Sequence, residues 1–217
     1  MKPNAPLLLL AVLAVCAIRP ASTPAAATKV TCDTCPVASV QPKASQPFGT
    51  ADTSHGCATR TSHSLPVPDP KCTPGAVNPT VTLQVLQNTA FRTECIRDCS
   101  TTETDKSATY GLYGIPHPAK NEGKTQTCEL DHLVPLELGG ADTLDNIWPQ
   151  CGPSSVALAQ RYFKQKDMVE NFLADQVKSG QMELKKTQAA IASDWTPFLS
   201  EATQFCLKNP KKCKVAD

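Results

Sequence analysis

Asp131 and His132 stand side by side in the segment Cys128-Glu-Leu-Asp-His-Leu-Val134. An imidazole titrates close to physiological pH and can take a proton from water. The carboxylate next to it offers a hard oxygen ligand suited to Mg²⁺ or a similar divalent ion. Asn146 follows fourteen residues after the histidine, in Asp145-Asn-Ile-Trp-Pro149. Its amide is of the kind that bonds back to the main chain and fixes a loop. Pro135 and Gly139-Gly140 lie between, the glycines permitting a turn with φ > 0. A base for water, a cation to neutralise growing negative charge and a rigid frame together serve the hydrolysis of a charged ester.

These residues need elements to hold them. Cys128–Val134 reads as a short strand, 136–145 as a loop, and Asn146-Ile147-Trp148 as a second strand stopped by Pro149. Successive strand residues face opposite ways, so Asp131 and His132 reach one point only where the strand ends or bends, as Pro135 suggests. Pro153-Ser154-Ser155 is expected to open a long helix. Val156, Leu158, Tyr162, Phe163, Val169, Phe172, Leu173 and Val177 recur at helical spacing, and Gly180 stops it. A further helix is expected from Leu184 to about Ala192, before Asp194-Trp195. Thr80–Thr89 fits a strand or a short helix equally. Tyr110–Gly114 and Pro116-His117-Pro118 read as loop.

The chain around this motif has 217 residues, 21 Lys and Arg against 20 Asp and Glu, and 11 cysteines. Its 19% charged and 41% hydrophobic content exclude a membrane bundle, a coiled coil and a wholly disordered chain. Met1-Lys2, the apolar run Leu7–Ala17 and Ala25-Ala26-Ala27 match a secretory signal peptide, which assigns 1–27 to a leader and the mature protein to export. The run is too short to span a ~30 Å hydrocarbon core, so no membrane partner is expected. Cys16 only loosely fits a lipidation site. Removing the leader takes away Lys2, Arg19 and no acid, turning a net charge of +1 into −1. A nucleic-acid partner would then have to be met by a local patch. Arg161, Lys164 and Lys166 could form one, as could the basic run 208–214, although solvated surface explains both.

The ten remaining cysteines point to about five disulfides in an oxidising compartment. The competing arrangement is a zinc site drawn from Cys32, Cys35, His55, Cys57, His63 and Cys72. Residues 28–71, rich in Pro, Ser and Thr, read as an extended, disulfide-pinned arm. The folded domain is expected over 72–200 and a basic tail tied through Cys206 over 201–217.

From Cys128 to Gly180 the order is strand, glycine loop, strand, helix. With Asp131-His132-Leu-Val-Pro135, Gly139-Gly140 and Asp145-Asn-Ile-Trp-Pro149 in register, this segment is similar to an HNH endonuclease of the ββα-metal superfamily. Looser similarity to small secreted HNH proteins rests on Thr73-Pro-Gly-Ala76, Tyr110-Gly111, Lys166-Asp167, Glu170-Asn171, Gln188 and Asp194-Trp195.

The resemblance implies an α+β fold: a ββα-metal hairpin-plus-helix core with an additional helix and the disulfide-rich arm. It implies that His132 activates water, that Asn146 pins the loop and orients the histidine, and that Asp131 holds a divalent metal, Mg²⁺ foremost, with Mn²⁺ or Zn²⁺ as alternatives. The family places a third His or Asn on the helix, about nine residues after the asparagine, where this chain has Ser155. A shifted helix would present Gln160, Lys164, Asp167 or Asn171 instead, and Asp167 is the ligand assigned. Cys128 and Cys151 stand where such proteins often hold zinc, and an exported chain is expected to join them as a disulfide. The implied activity is nonspecific, metal-dependent hydrolysis of nucleic acid, DNA before RNA, leaving 5′-phosphates. The competing reading is a non-catalytic secreted binding or structural protein that keeps the HNH frame. A cysteine-rich toxin or inhibitor would leave the hairpin motif unexplained.

Overall fold

The computed structural model describes residues 35–97 and 103–213. Among these residues the fold is mixed α+β, with three two-stranded antiparallel sheets and five α-helices. The leader, the lipidation motif, Cys32 and Cys99 lie outside the described residues.

The central hairpin is β5 (Cys128–His132) against β6 (Ile147–Cys151), in a register that pairs Asp131 with Trp148 and His132 with Ile147. Side chains alternate along a strand. Glu129 and Asp131 therefore share one face with Gln150 and Trp148 opposite them. Pro149 is tolerated because a two-stranded sheet has only edges. Leu133 N–H donates to Asn146 O at 2.8 Å, carrying the ladder one step beyond β5.

Helix α3 (Tyr162–Lys178) packs on this hairpin, where Lys166 reaches Asp131 and the His132 carbonyl, and it buries Phe163, Lys166 and Val169 fully. The helix begins at Tyr162, later than expected. Residues 153–161 form turns and one 3₁₀ turn instead, and Ser155 lies well before the helix. Apolar residues before Tyr162 carry the helical period without joining the helix. Helix α4 (Leu184–Ser193) lies where it was expected, and α5 (Leu199–Lys208) follows through a 3₁₀ turn.

The region before Cys72 does more than hang from a bridge. Strand β1 (Gln46–Pro47) pairs with β4 (Ala76–Val77), and β2 (Arg60–Ser62) forms a hairpin with β3 (Leu65–Val67). Val40 and Val67 join the main core, and Trp195 Nε1 donates to Pro66 O at 3.0 Å. The proline-rich stretch thus covers one side of the core, because prolines at strand edges leave alternate apolar side chains free to pack. Thr82 caps α1 (Leu83–Gln87), which settles Thr80–Thr89 as a short helix. Tyr110 and Gly111 belong to α2 (Glu103–Leu112), not to a loop, with Tyr110 buried. The rigid packing surface offered to Tyr110 overrides the weak helix preference of its glycine neighbour.

Among the described residues, four disulfides join Cys35 to Cys95, Cys57 to Cys72, Cys128 to Cys151 and Cys206 to Cys213. The 128–151 bridge closes the central hairpin at its outer end, as expected. Bridges of this kind indicate an oxidising environment. Among the described residues, no helix is long and apolar enough to cross a membrane.

Candidate functional site

The loop between β5 and β6 is built around Asn146, which is fully buried. Its Oδ1 accepts from Val134 N–H at 2.9 Å and Ala76 N–H at 3.2 Å. Its Nδ2 donates to Ala141 O at 2.8 Å and Val134 O at 3.0 Å. One amide thus ties both ends of the loop to the neighbouring strand. Gly140 passes so close to Val134 that a Cβ there would sit 1.8 Å from its carbonyl oxygen. Gly139 adopts φ 75°. The glycine pair answers two separate demands, close approach and left-handed backbone.

His132 ends β5 with its side chain 14% exposed. Its Nε2 lies 2.8 Å from Oδ1 of Asp142, whose carboxylate is fully buried and also faces Lys106 Nζ at 3.3 Å. Asp142 fixes the ring orientation and leaves Nδ1 as the nitrogen not engaged by that carboxylate. Desolvation pushes the imidazole pKa below its ordinary value, outweighing the Asp142 hydrogen bond. The neutral, proton-accepting form therefore persists below pH 6.5.

Asp131 points to the other face, toward α3. Its Oδ2 accepts from Trp148 Nε1 at 3.0 Å and lies 2.8 Å from Lys166 Nζ. That ammonium is wholly buried, held also by Glu170 Oε1 at 2.5 Å and by His132 O at 2.8 Å. Asp131 and Glu170 raise the Lys166 pKa despite the opposing effect of burial, so the charge is permanent. Asp167 pairs with Lys164 at 3.4 Å. Burial lifts the Asp167 pKa to about 6.

The structure therefore does not bring Asp131, Asp167 and a third ligand together. Where the resemblance implies a divalent ion between hairpin and helix, Asp131 already meets a lysine ammonium that links the same two elements. The residues assigned to the metal do not fit one. Among the described residues, the cluster of three ligand-bearing side chains within ion range is His55, Asp69 and Cys72. It recovers part of the competing zinc set, but the Cys72 sulfur is bonded to Cys57 and is not a thiolate.

A cavity of about 150 Å³ opens beside His132 and is lined by Arg97, Glu129, Asp131, Glu137 and Glu170 as well. Desolvation lifts the Glu129 pKa to about 7, with further push from Asp167 and Asp131. Glu137 is raised and Glu170 well raised, in both cases chiefly by burial. Near neutral pH the cavity is thus less negative than its carboxylates suggest.

Asp142 and Arg97 were missed in the sequence. A histidine base needs an orienting acceptor, and the loop offers few carboxylates, so Asp142 could have been sought there. Nothing local marks Arg97, which a separate 3₁₀ turn brings to the cavity. No protein-family model, curated protein or solved structure matches this chain.

Proposed function

We propose that the chain is an exported phosphodiester hydrolase of HNH type, acting on nucleic acid with little sequence preference. The observation that carries this reading is His132, held at 2.8 Å by the buried Asp142 carboxylate and lining a cavity that Arg97 also reaches. In this reading His132 takes a proton from the attacking water, whose oxygen bonds to phosphorus as the P–O3′ bond breaks. The departing 3′-oxygen takes a proton from solvent, and the imidazolium returns its own to solvent. Asp142 keeps the ring in place and stabilises the imidazolium that forms. Arg97, on the exposed side, meets the phosphate oxygens as their charge grows. Asn146 positions the base indirectly, by fixing the loop that carries Asp142. Lys166 fixes the His132 backbone. No step is assigned to a divalent ion, because Asp131 and Asp167 are engaged by lysines.

The second reading, a disulfide-stapled binding or structural protein, is favoured by that same Lys166–Asp131 pair, which replaces a catalytic ion with a structural tie. A plasmid-degradation assay of the oxidised protein separates the two, run with Mg²⁺, Mn²⁺, Zn²⁺ or EDTA. The hydrolase reading expects nicking that His132→Ala lowers by at least ~100-fold. Equal cutting by the variant removes His132 from the mechanism, and no cutting under any condition leaves the structural reading.

A further inference from the structure

A second cavity, of about 720 Å³, lies beside the start of α3. Its wall combines Leu158 and Met168 with three cationic side chains, Lys124, Arg161 and Lys164. No carboxylate is among the described residues that line it. The size falls in the range of small-molecule sites.

Arg161 sets this cavity apart. The residue is 6% exposed. Its Nη2 donates to Lys124 O at 3.1 Å, yet Nε and Nη1 are buried with no hydrogen-bond partner. A guanidinium is always charged, and burying it with donors uncommitted is unfavourable unless an anion meets them. Arg161 is also the N-cap residue of α3, immediately before its first turn, so the partial positive charge of a 17-residue helix adds to its field. Lys164 stands one turn further on, with its ammonium on Asp167.

We propose that this cavity binds a small organic oxyanion, a phosphate or carboxylate head seated on Arg161 with an apolar body against Leu158 and Met168. Arg161 and Lys124 select the head by charge, since the Lys164 ammonium is already on Asp167. The apolar wall favours an organic body over a hydrated inorganic ion. The site does not include His132 and does not depend on the hydrolase reading.

Phenyl phosphate is the probe, titrated calorimetrically into the oxidised full-length protein, with benzoate, inorganic phosphate and benzyl alcohol as parallel arms. One site is expected, binding phenyl phosphate at least ~10-fold more tightly than inorganic phosphate or benzyl alcohol. Benzoate should also bind more tightly than benzyl alcohol, and equal binding of benzyl alcohol and both oxyanions overturns the proposal. Arg161→Gln should weaken binding at least ~10-fold, and the exposed Lys124→Ala by a few-fold. Should Arg161→Gln fail to fold, amide shift perturbations on the unaltered protein decide the matter. They should fall at 123–124 and 156–164, and shifts confined to 129–132 overturn the proposal. So do an absence of binding and unchanged binding by folded Arg161→Gln. His132→Ala should keep phenyl phosphate binding while losing any nuclease activity, so the two readings fail separately. An oligonucleotide whose affinity depends on Arg161, with no phenyl phosphate binding, also overturns the small-anion assignment.

Discussion

Glu129 and His132 lie three residues apart on the same strand, and burial shifts their titrations in opposite senses. The imidazole pKa is lowered by burial, so its basic form is present from below pH 6.5 upward. The Glu129 carboxyl is lifted to about 7, so below that pH it is mostly neutral and does not repel a phosphate entering the cavity. If the chain hydrolyses phosphodiesters there, kcat/KM should rise through an acid limb set by His132 and fall through a limb near pH 7 set by Glu129. The optimum then sits on the acid side of neutrality. Glu129→Gln should abolish the falling limb and leave the acid limb in place, which a pH–rate profile of both proteins measures. A falling limb that persists in Glu129→Gln assigns it to another group. Asp142→Asn removes the hydrogen bond that holds the imidazole pKa up, and should move the acid limb further down while slowing the reaction.

Hairpin and long helix are joined by the group Asp131, Lys166, Glu170 and the His132 carbonyl. Lys166→Met would leave the buried Asp131 and the half-buried Glu170 carboxylates without a countercharge, and breaking a buried pair costs roughly 3–5 kcal/mol. The loss should be largest in EDTA and partly restored by Mn²⁺, because removing the ammonium frees oxygen ligands at that junction. Chemical denaturation with and without the ion tests this, and the unaltered protein should show no such rescue. The hairpin itself was readable from its residues. The strand pair, the glycine loop and the 128–151 bridge follow from local alternation, turn chemistry and cysteine placement. The strand limits do not: β5 stops at His132 instead of Val134, and β6 runs on through Pro149, which was expected to end it, to Cys151. Asn146 as a loop pin was readable too, since a buried amide between two strands has main-chain groups on every side. The helix start was not. An apolar period continues from Val156 to Val177, and only tertiary packing decides that the helix waits until Tyr162. Lys166 was equally hidden, because a lysine in a helix reads as solvated unless the carboxylates it meets come from another element.

At the level of the whole molecule, several buried ionisable groups shift together, and their sum sets how stability responds to pH. Glu129 and Asp167, lifted to about 7 and about 6, with Glu137 and Glu170 also raised, hold protons in the folded state that the unfolded chain has released. For a raised pKa the contribution is fully present below the unfolded value and is lost as pH rises through the folded one. These four therefore favour the folded state increasingly as pH falls from about 7 toward ~4.5. His132 works against them. Its lowered pKa makes the unfolded chain the better proton acceptor below ~6.5, which removes stability there. Asp52, Asp69 and Asp194 are lowered, so they act only below ~4, where stability should fall again. Glu129 and Asp167, the carboxyls lifted to about 7 and about 6, both favour acidification, so a net gain in stability is expected as pH falls from 8 to 5.5. The melting temperature should then be higher at pH 5.5 than at pH 8, by a few degrees for each ~1 kcal/mol gained in a chain of this size. Calorimetry of the oxidised protein across that range reads it directly. The double substitution Glu129→Gln, Asp167→Asn should flatten the slope, and a melting temperature that falls steadily from pH 8 to pH 5.5 would show that His132, not the carboxylates, governs the balance.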